Sequence, residues 1–183
     1  MRRRRFLLGL LVLLGLTLVA GAAVPAGAGL KPPEVPEAIR VPGPNAPGPH
    51  RVVLSVVGKG VQIYDCNPTT RAWTFREPAA VLYGRGGHPV GIHFRGPTFE
   101  SFDGSSVTGT LVASVAAPEP GAIPWLLLRA VPQGDGVLAR VDYVQRIETR
   151  GGVAPAGPCD PAGDRTVAVP YRARYVFFAP VSS

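Results

Sequence analysis

Along this chain apolar and polar residues take turns at every second position, in short runs cut by Gly, Pro, Asp and Asn. A period of two marks an extended strand with one face buried and the other wet, because successive side chains point to opposite sides. Four segments carry the pattern. Val107, Gly109, Leu111, Ala113 and Val115 alternate with Thr108, Thr110 and Ser114. Val137, Ala139, Val141, Tyr143 and Ile147 alternate with Arg140, Asp142, Arg146 and Glu148. Val167, Val169, Tyr171, Ala173, Tyr175 and Phe177 alternate with Thr166, Arg172 and Arg174, and Val61 and Ile63 flank Gln62. Helical spacing is nearly absent, although residues 77–82 could make one turn. The pattern predicts an all-β fold over residues 50–183, a single antiparallel sandwich or barrel-like domain with little helix.

The N-terminal end departs from this pattern. Arg2 to Arg5 precede an uncharged, leucine-rich run over residues 6–19, and small residues follow. A positive start, an apolar stretch too short to span a bilayer and a small-residue exit make up a secretory signal peptide. Residues 1–28 are assigned to it, with Ala26-Gly27-Ala28 preferred to Ala20-Gly21-Ala22 as the cleavage point. Arg3-Arg4-Arg5-Phe6-Leu7 also fits a twin-arginine signal, but the leucine-rich core suits the general secretory route. The expectation is a secreted or periplasmic/extracellular protein with no stable membrane insertion after cleavage. Residues 29–49 then read as a Pro-rich linker or strap: seven of residues 32–49 are proline, which fixes φ, removes donors and bars a helix or central strand.

Charge and cysteines change the picture once this leader is set aside. The whole chain has 19 Lys+Arg against 12 Asp+Glu, a net charge of +7; the leader holds four arginines and no acid, so +3 remains. The remaining arginines are scattered and sit beside acids, as Arg140 does near Asp142, which excludes nucleic acid as the main partner. The two cysteines, Cys66 and Cys159, both fall in the exported part, where an oxidising environment favours pairing. One disulfide is predicted, closing a loop that the chain-entropy model values at about 4 to 5 kcal/mol.

Candidate chemistry concentrates in residues 93–105. With Gly96-Pro97 as the tip of a tight hairpin, Phe94 opposes Phe99 and His93 opposes Glu100. An imidazole and a carboxylate side by side could relay a proton, form an ion pair, or ligate a metal with Asp103 near. Two placed ligands fall short of the three a hydrolytic site needs, so no metal is assigned. Gln145 falls on the apolar face of Tyr143 and Ile147, where a buried amide must find partners. Trp125 is surrounded by apolar residues and reads as core, or as one wall of a pocket. Gly84-Arg85-Gly86-Gly87-His88 reads as a turn, as does Asp103-Gly104-Ser105-Ser106. No Gly-x-Gly-x-x-Gly lies between a strand and a helix and no Gly-x-Ser-x-Gly is present, so no cofactor is expected.

Several of these stretches also carry a resemblance. Gly60-Val61-Gln62-Ile63-Tyr64-Asp65-Cys66, Trp73 with Glu77-Pro78-Ala79, Gly91-Ile92-His93-Phe94 with Gly96-Pro97-Thr98-Phe99-Glu100, and Asp103-Gly104-Ser105 occur in that order. Ile123-Pro124-Trp125-Leu126-Leu127, Val144-Gln145-Arg146 with Thr149 and Gly151-Gly152, and Cys159-Asp160 follow. Together they resemble the exported bacterial and fungal proteins known as domain of unknown function 3455, over residues 50–178. The resemblance implies a secreted β-rich domain and no catalytic residues. The first functional expectation is an exported binding or structural module. It would meet a cell-surface glycan or small ligand through the hairpin 93–103 with Trp73 or Trp125, and with Gln145 and Arg146 as further candidates. The alternative is a metal-dependent or hydrolase-like secreted enzyme using His93, Glu100 and Asp103. The two separate on whether those side chains share one pocket with Gln145 or Arg146.

Overall fold

The structure is a computed structural model that describes residues 30–41, 48–163 and 165–181; the predicted leader lies outside the described residues. Eight strands follow in order: β1 His50–Cys66, β2 Trp73–Tyr83, β3 Pro89–Phe94, β4 Thr98–Ser101, β5 Ser106–Val115, β6 Trp125–Gln133, β7 Tyr143–Gly151 and β8 Thr166–Pro180. Each pairs with its sequence neighbour, and β1 pairs antiparallel with β8, which closes the sheet into an up-and-down barrel. Closure satisfies both edges of the sheet and selects the barrel over the sandwich. Among the described residues the only helical element is a single 3₁₀ turn, Glu37–Ile39. Residues 77–82, which could have made a helical turn, lie in β2, where Ala80 to Leu82 pair with both β1 and β3.

Two apolar clusters hold the barrel, one on each side of its wall. Inside, Val56, Leu82, Phe99, Val107, Leu128, Val144, Tyr175 and Phe177 pack together. Outside, Val52, Leu127, Tyr143, Ile147, Val176 and Phe178 are covered by the proline-rich strap, whose Ile39 is fully buried and whose Val35 and Val41 pack at the margin. Prolines keep the strap extended, and among the described residues its ladder contact is a bridge from Leu30 to Val52. The run Tyr175 to Ala179 is buried at every position because the interior takes one face of β8 and the strap the other.

Two of the alternating segments are interrupted. The register of β5 against β6 shifts between Leu111 and Ala113. Beyond that bulge Ala113 and Val115 turn to the strap side, while Leu111 and Val112 are exposed. Val137, Ala139 and Val141, expected to extend β7, instead lie in the connection from β6. That connection is fastened to the turn between β4 and β5: Val137 N–H donates to Asp103 Oδ2 at 2.8 Å and Leu138 N–H to Ser105 Oγ at 3.1 Å. It buries Leu138 against the interior cluster, so this end of the barrel is plugged.

The opposite end carries the β1–β2, β3–β4, β5–β6 and β7–β8 connections. Cys66, at the end of β1, is bonded to Cys159 in the β7–β8 connection, as the cysteine count predicts, across a sequence separation of 93. Backbone bonds reinforce the tie, from Cys159 N–H to Arg71 O and from Cys66 N–H to Arg165 O, both 2.8 Å.

Candidate functional site

At the disulfide end the interior sets a few polar side chains among apolar walls. Antiparallel order brings the late part of β1, the start of β2, the end of β3 and the starts of β4 and β6 to this end, with mid-strand residues of β7 and β8 reaching up from below. Around a cavity of about 250 Å³ they place Gln62, Phe75, His93, Phe99, Leu128, Arg146 and Tyr175. Gly96 and Pro97 of the β3–β4 turn form part of its rim. Tyr175 fits because β1 has a glycine diagonally across from it: a Cβ on Gly58 would stand 2.6 Å from the Tyr175 ring.

The geometry of hairpin 93–101 corrects the predicted register. Phe94 pairs with Thr98, His93 with Phe99 and Ile92 with Glu100, so the turn is one residue longer than a two-residue tip. Proline is poorly placed at the second corner of a two-residue turn, and the longer turn, with Gly96 at φ 115°, removes the conflict. One residue of shift reverses the face of every side chain beyond it. His93 and Phe99 therefore point inward together while Glu100 is exposed.

His93 is 3% exposed and its Nδ1–H donates to the Thr98 carbonyl at 2.8 Å. A carbonyl only accepts, so Nδ1 carries the proton and Nε2 is the bare nitrogen of a neutral ring. Burial, helped by the charge of Arg146 and opposed by the Thr98 bond, pushes its pKa down to about 3. The ring stays neutral at any physiological pH.

Arg146 lies on the interior face of β7, donating from Nε and Nη2 to the Pro124 carbonyl at 3.1 and 2.9 Å. Tyr64, Tyr171 and Tyr175 are its electrostatic neighbours. Tyr171 and Tyr175 hydroxyls share a hydrogen bond of 3.0 Å, and Tyr64 donates to the Gly152 carbonyl at 2.6 Å. Burial raises the pKa of all three phenols, so they are neutral. Burial also lowers the pKa of Arg146, yet a guanidinium keeps its proton in a protein. Gln62 is 2% exposed; its amide nitrogen lies beside the Tyr171 hydroxyl but makes no well-formed hydrogen bond among the described residues.

The sequence candidates are thus divided. His93 and Arg146 meet in the cavity. Asp103 sits at the plugged end, where Oδ1 accepts from the Ser105 hydroxyl at 2.6 Å and the Ser105 amide at 3.0 Å. Those bonds, the hydroxyl first and with the Val137 amide bond next, hold its carboxyl well below the usual range. Gln145 is buried on the outer face beneath the strap, donating to the Ile39 carbonyl at 2.6 Å. Trp125 also packs on the strap side, and Trp73 opposes Cys66 at the start of β2. His93, Glu100 and Asp103 therefore form no common centre. Among the described residues no three His, Cys, Asp or Glu side chains gather as a metal-binding group.

Gln62, Phe99, Tyr171 and Tyr175 are site residues that no sequence motif marks. The polar positions were visible as Gln62 between Val61 and Ile63, and Arg146 between Gln145 and Ile147, but alternation assigns such residues to the wet face. Here the strap covers the outer wall of β7 at Tyr143 and Ile147, and the cavity takes Gln62 and Arg146 inside.

Fold and site together define an eight-stranded up-and-down β-barrel with a basic, aromatic-walled cavity at one end. The chain belongs to the family described as protein of unknown function DUF3455, whose model matches residues 47–179. No curated protein and no solved structure matches it.

Proposed function

We propose that this chain is an exported binding protein that holds one small ligand inside its barrel. The observation that carries this reading is the cavity of about 250 Å³ among Gln62, His93, Phe99, Arg146 and Tyr175. An eight-stranded barrel has an interior just wide enough to be filled by side chains or to hold one small molecule. At the plugged end this barrel takes the first course, with Leu138 and Val107; at the disulfide end it takes the second. Apolar walls with a few convergent polar groups are the usual composition of a small-molecule site. The Cys66–Cys159 disulfide supports work in an oxidising compartment, in keeping with the signal pattern at the N-terminus. A glycan-binding surface on the hairpin has less support, since His93 and Phe99 of that hairpin face inward.

The test is a thermal-shift screen of small organic acids, amides, alcohols and sugars on the disulfide-bonded protein, because a ligand that binds the native state raises its melting temperature. Leu126→Trp, which fills the cavity from β6, is the control. A hit that shifts the wild-type melting temperature and leaves the variant's unchanged supports interior binding. Hits that shift both proteins alike overturn it.

A further inference from the structure

The cavity has a charge imbalance that selects among small ligands. Its lining contains two arginines and no Asp or Glu. Arg76 is neutralised at the wall by Asp65 at 2.9 Å and Glu77 at 3.0 Å. Arg146 has no such partner: none of the ion pairs among the described residues includes it. The neighbouring phenols supply no counter-charge, because burial raises their pKa and keeps their protons on. The neutral His93 adds no second cation. A cation partly withdrawn from water without a paired anion is costly, and an arginine cannot relieve that cost by losing its proton.

The second observation is independent of charge. Gln62, 2% exposed and lining the same cavity, has an amide nitrogen that makes no well-formed hydrogen bond; the acceptor beside it is the Tyr171 hydroxyl, already shared with Tyr175. A buried donor left unpaired costs more than a made hydrogen bond gains, so the group is complete only when something in the cavity accepts from it. An unpaired cation and an unpaired donor in one small space call for an acceptor that bears negative charge.

We infer that the barrel holds a small organic monocarboxylate, its acid group met by Arg146 and the Gln62 amide and its apolar body packed on Phe75, Phe99 and Leu128. This rests on the interior-binding reading and narrows it. One unpaired cation fits a monoanion; a phosphate dianion would call for more donors than the walls provide. The mostly apolar lining calls for a hydrocarbon or aromatic body, and a volume below the roughly 300–1,000 Å³ of drug-sized pockets calls for a compact one.

The experiment compares acids with their neutral amides of the same shape. Benzoate, benzamide, hexanoate and hexanamide are titrated into the disulfide-bonded protein by calorimetry, with amide and arginine side-chain NMR shifts locating the contact. At least one acid binds about tenfold or more tighter than its amide, consistent with a charge-assisted bond. It shifts the Arg146 Nε and Gln62 Nε2 resonances. Arg146→Met brings the acid down to the amide's affinity without weakening the amide, and Gln62→Leu weakens the acid by a smaller factor. The wild-type acid-to-amide ratio and the Arg146 shift decide the matter even for a variant that fails to fold. Amides that bind inside as well as the acids overturn the carboxylate assignment and leave interior binding standing. No interior shift from any of the four at millimolar concentration overturns the carboxylate proposal. The broader interior-binding reading then stands or falls on the Leu126→Trp screen.

Discussion

His93 lies flat on Phe99, the two ring centroids 3.9 Å apart and the planes 6° from parallel. Tyr175 meets both rings edge-on, 5.1 Å from His93 and 4.9 Å from Phe99. A face-to-face stack on an apolar ring suits neutral imidazole, and protonation would place a charge where water cannot reach it.

Acid sensitivity follows from that stack. His93 titrates near 3 in the folded protein against an ordinary 6.5, so between those values the unfolded chain binds a proton that the folded chain does not. Its contribution is complete above about pH 6.5 and falls as pH drops, by up to about 1.4 kcal/mol per pH unit. Urea unfolding at pH 7, 5.5 and 4.5 shows this slope in the wild type and a flatter one in His93→Gln. Equal slopes refute the assignment.

The strap is a structural part of the domain. Ile39 is fully buried against Leu127, Val176 and Phe178. Ile39→Ala lowers stability by about 2–4 kcal/mol, within the range for truncating a buried aliphatic side chain. Chemical denaturation measures the loss; a change under about 0.5 kcal/mol, the level of ordinary surface substitutions, would show that the strap lies loosely on the barrel.

Asp103 latches the plugged end through the Ser105 and Val137 bonds. Asp103→Ala removes all of them and lowers stability by about 1–2 kcal/mol, with faster amide exchange from Val137 to Val141. Because the folded carboxyl titrates below the usual range, its contribution is present at neutral pH and lost only in strong acid. Unchanged exchange in residues 137–141 would remove the latch from the account.

Replacing both Cys66 and Cys159 by Ser frees the β7–β8 connection. A loss of about 2–5 kcal/mol is expected, since the bond closes a long loop. Amide NMR relaxation should show the disorder concentrated in residues 152–165, and guanidinium titration of oxidised and double-mutant protein measures the loss.

The strands were legible where β8 up to Tyr175, β1 around Val61 and Ile63 and the first half of β5 alternate, and the turns because Gly84 to His88 and Asp103 to Ser105 carry turn residues. The site was not. Gln62 and Arg146 occupy positions that alternation treats as outward, and that rule holds only when the outer wall meets water. The cue lay in the unbroken apolar runs Trp125 to Leu128 and Tyr175 to Ala179, which require cover on both faces of β6 and β8. The His93–Glu100 pairing failed for a local reason, one extra residue in the turn at Pro97. Gln145, argued from its apolar neighbours, is buried as expected.

The barrel's longest ladder is the seam between β1 and β8, fifteen residue pairs from His50–Pro180 to Asp65–Thr166. It joins the first strand to the last, so the N-terminal strand can find its main partner only after nearly the whole chain has been made. The disulfide also joins distant parts of the chain, 93 residues apart. Contacts this distant in sequence slow folding, because the loop must close before the ladder rewards it. During synthesis β1 can pair only with β2, leaving its other edge unpaired and open to association with other chains.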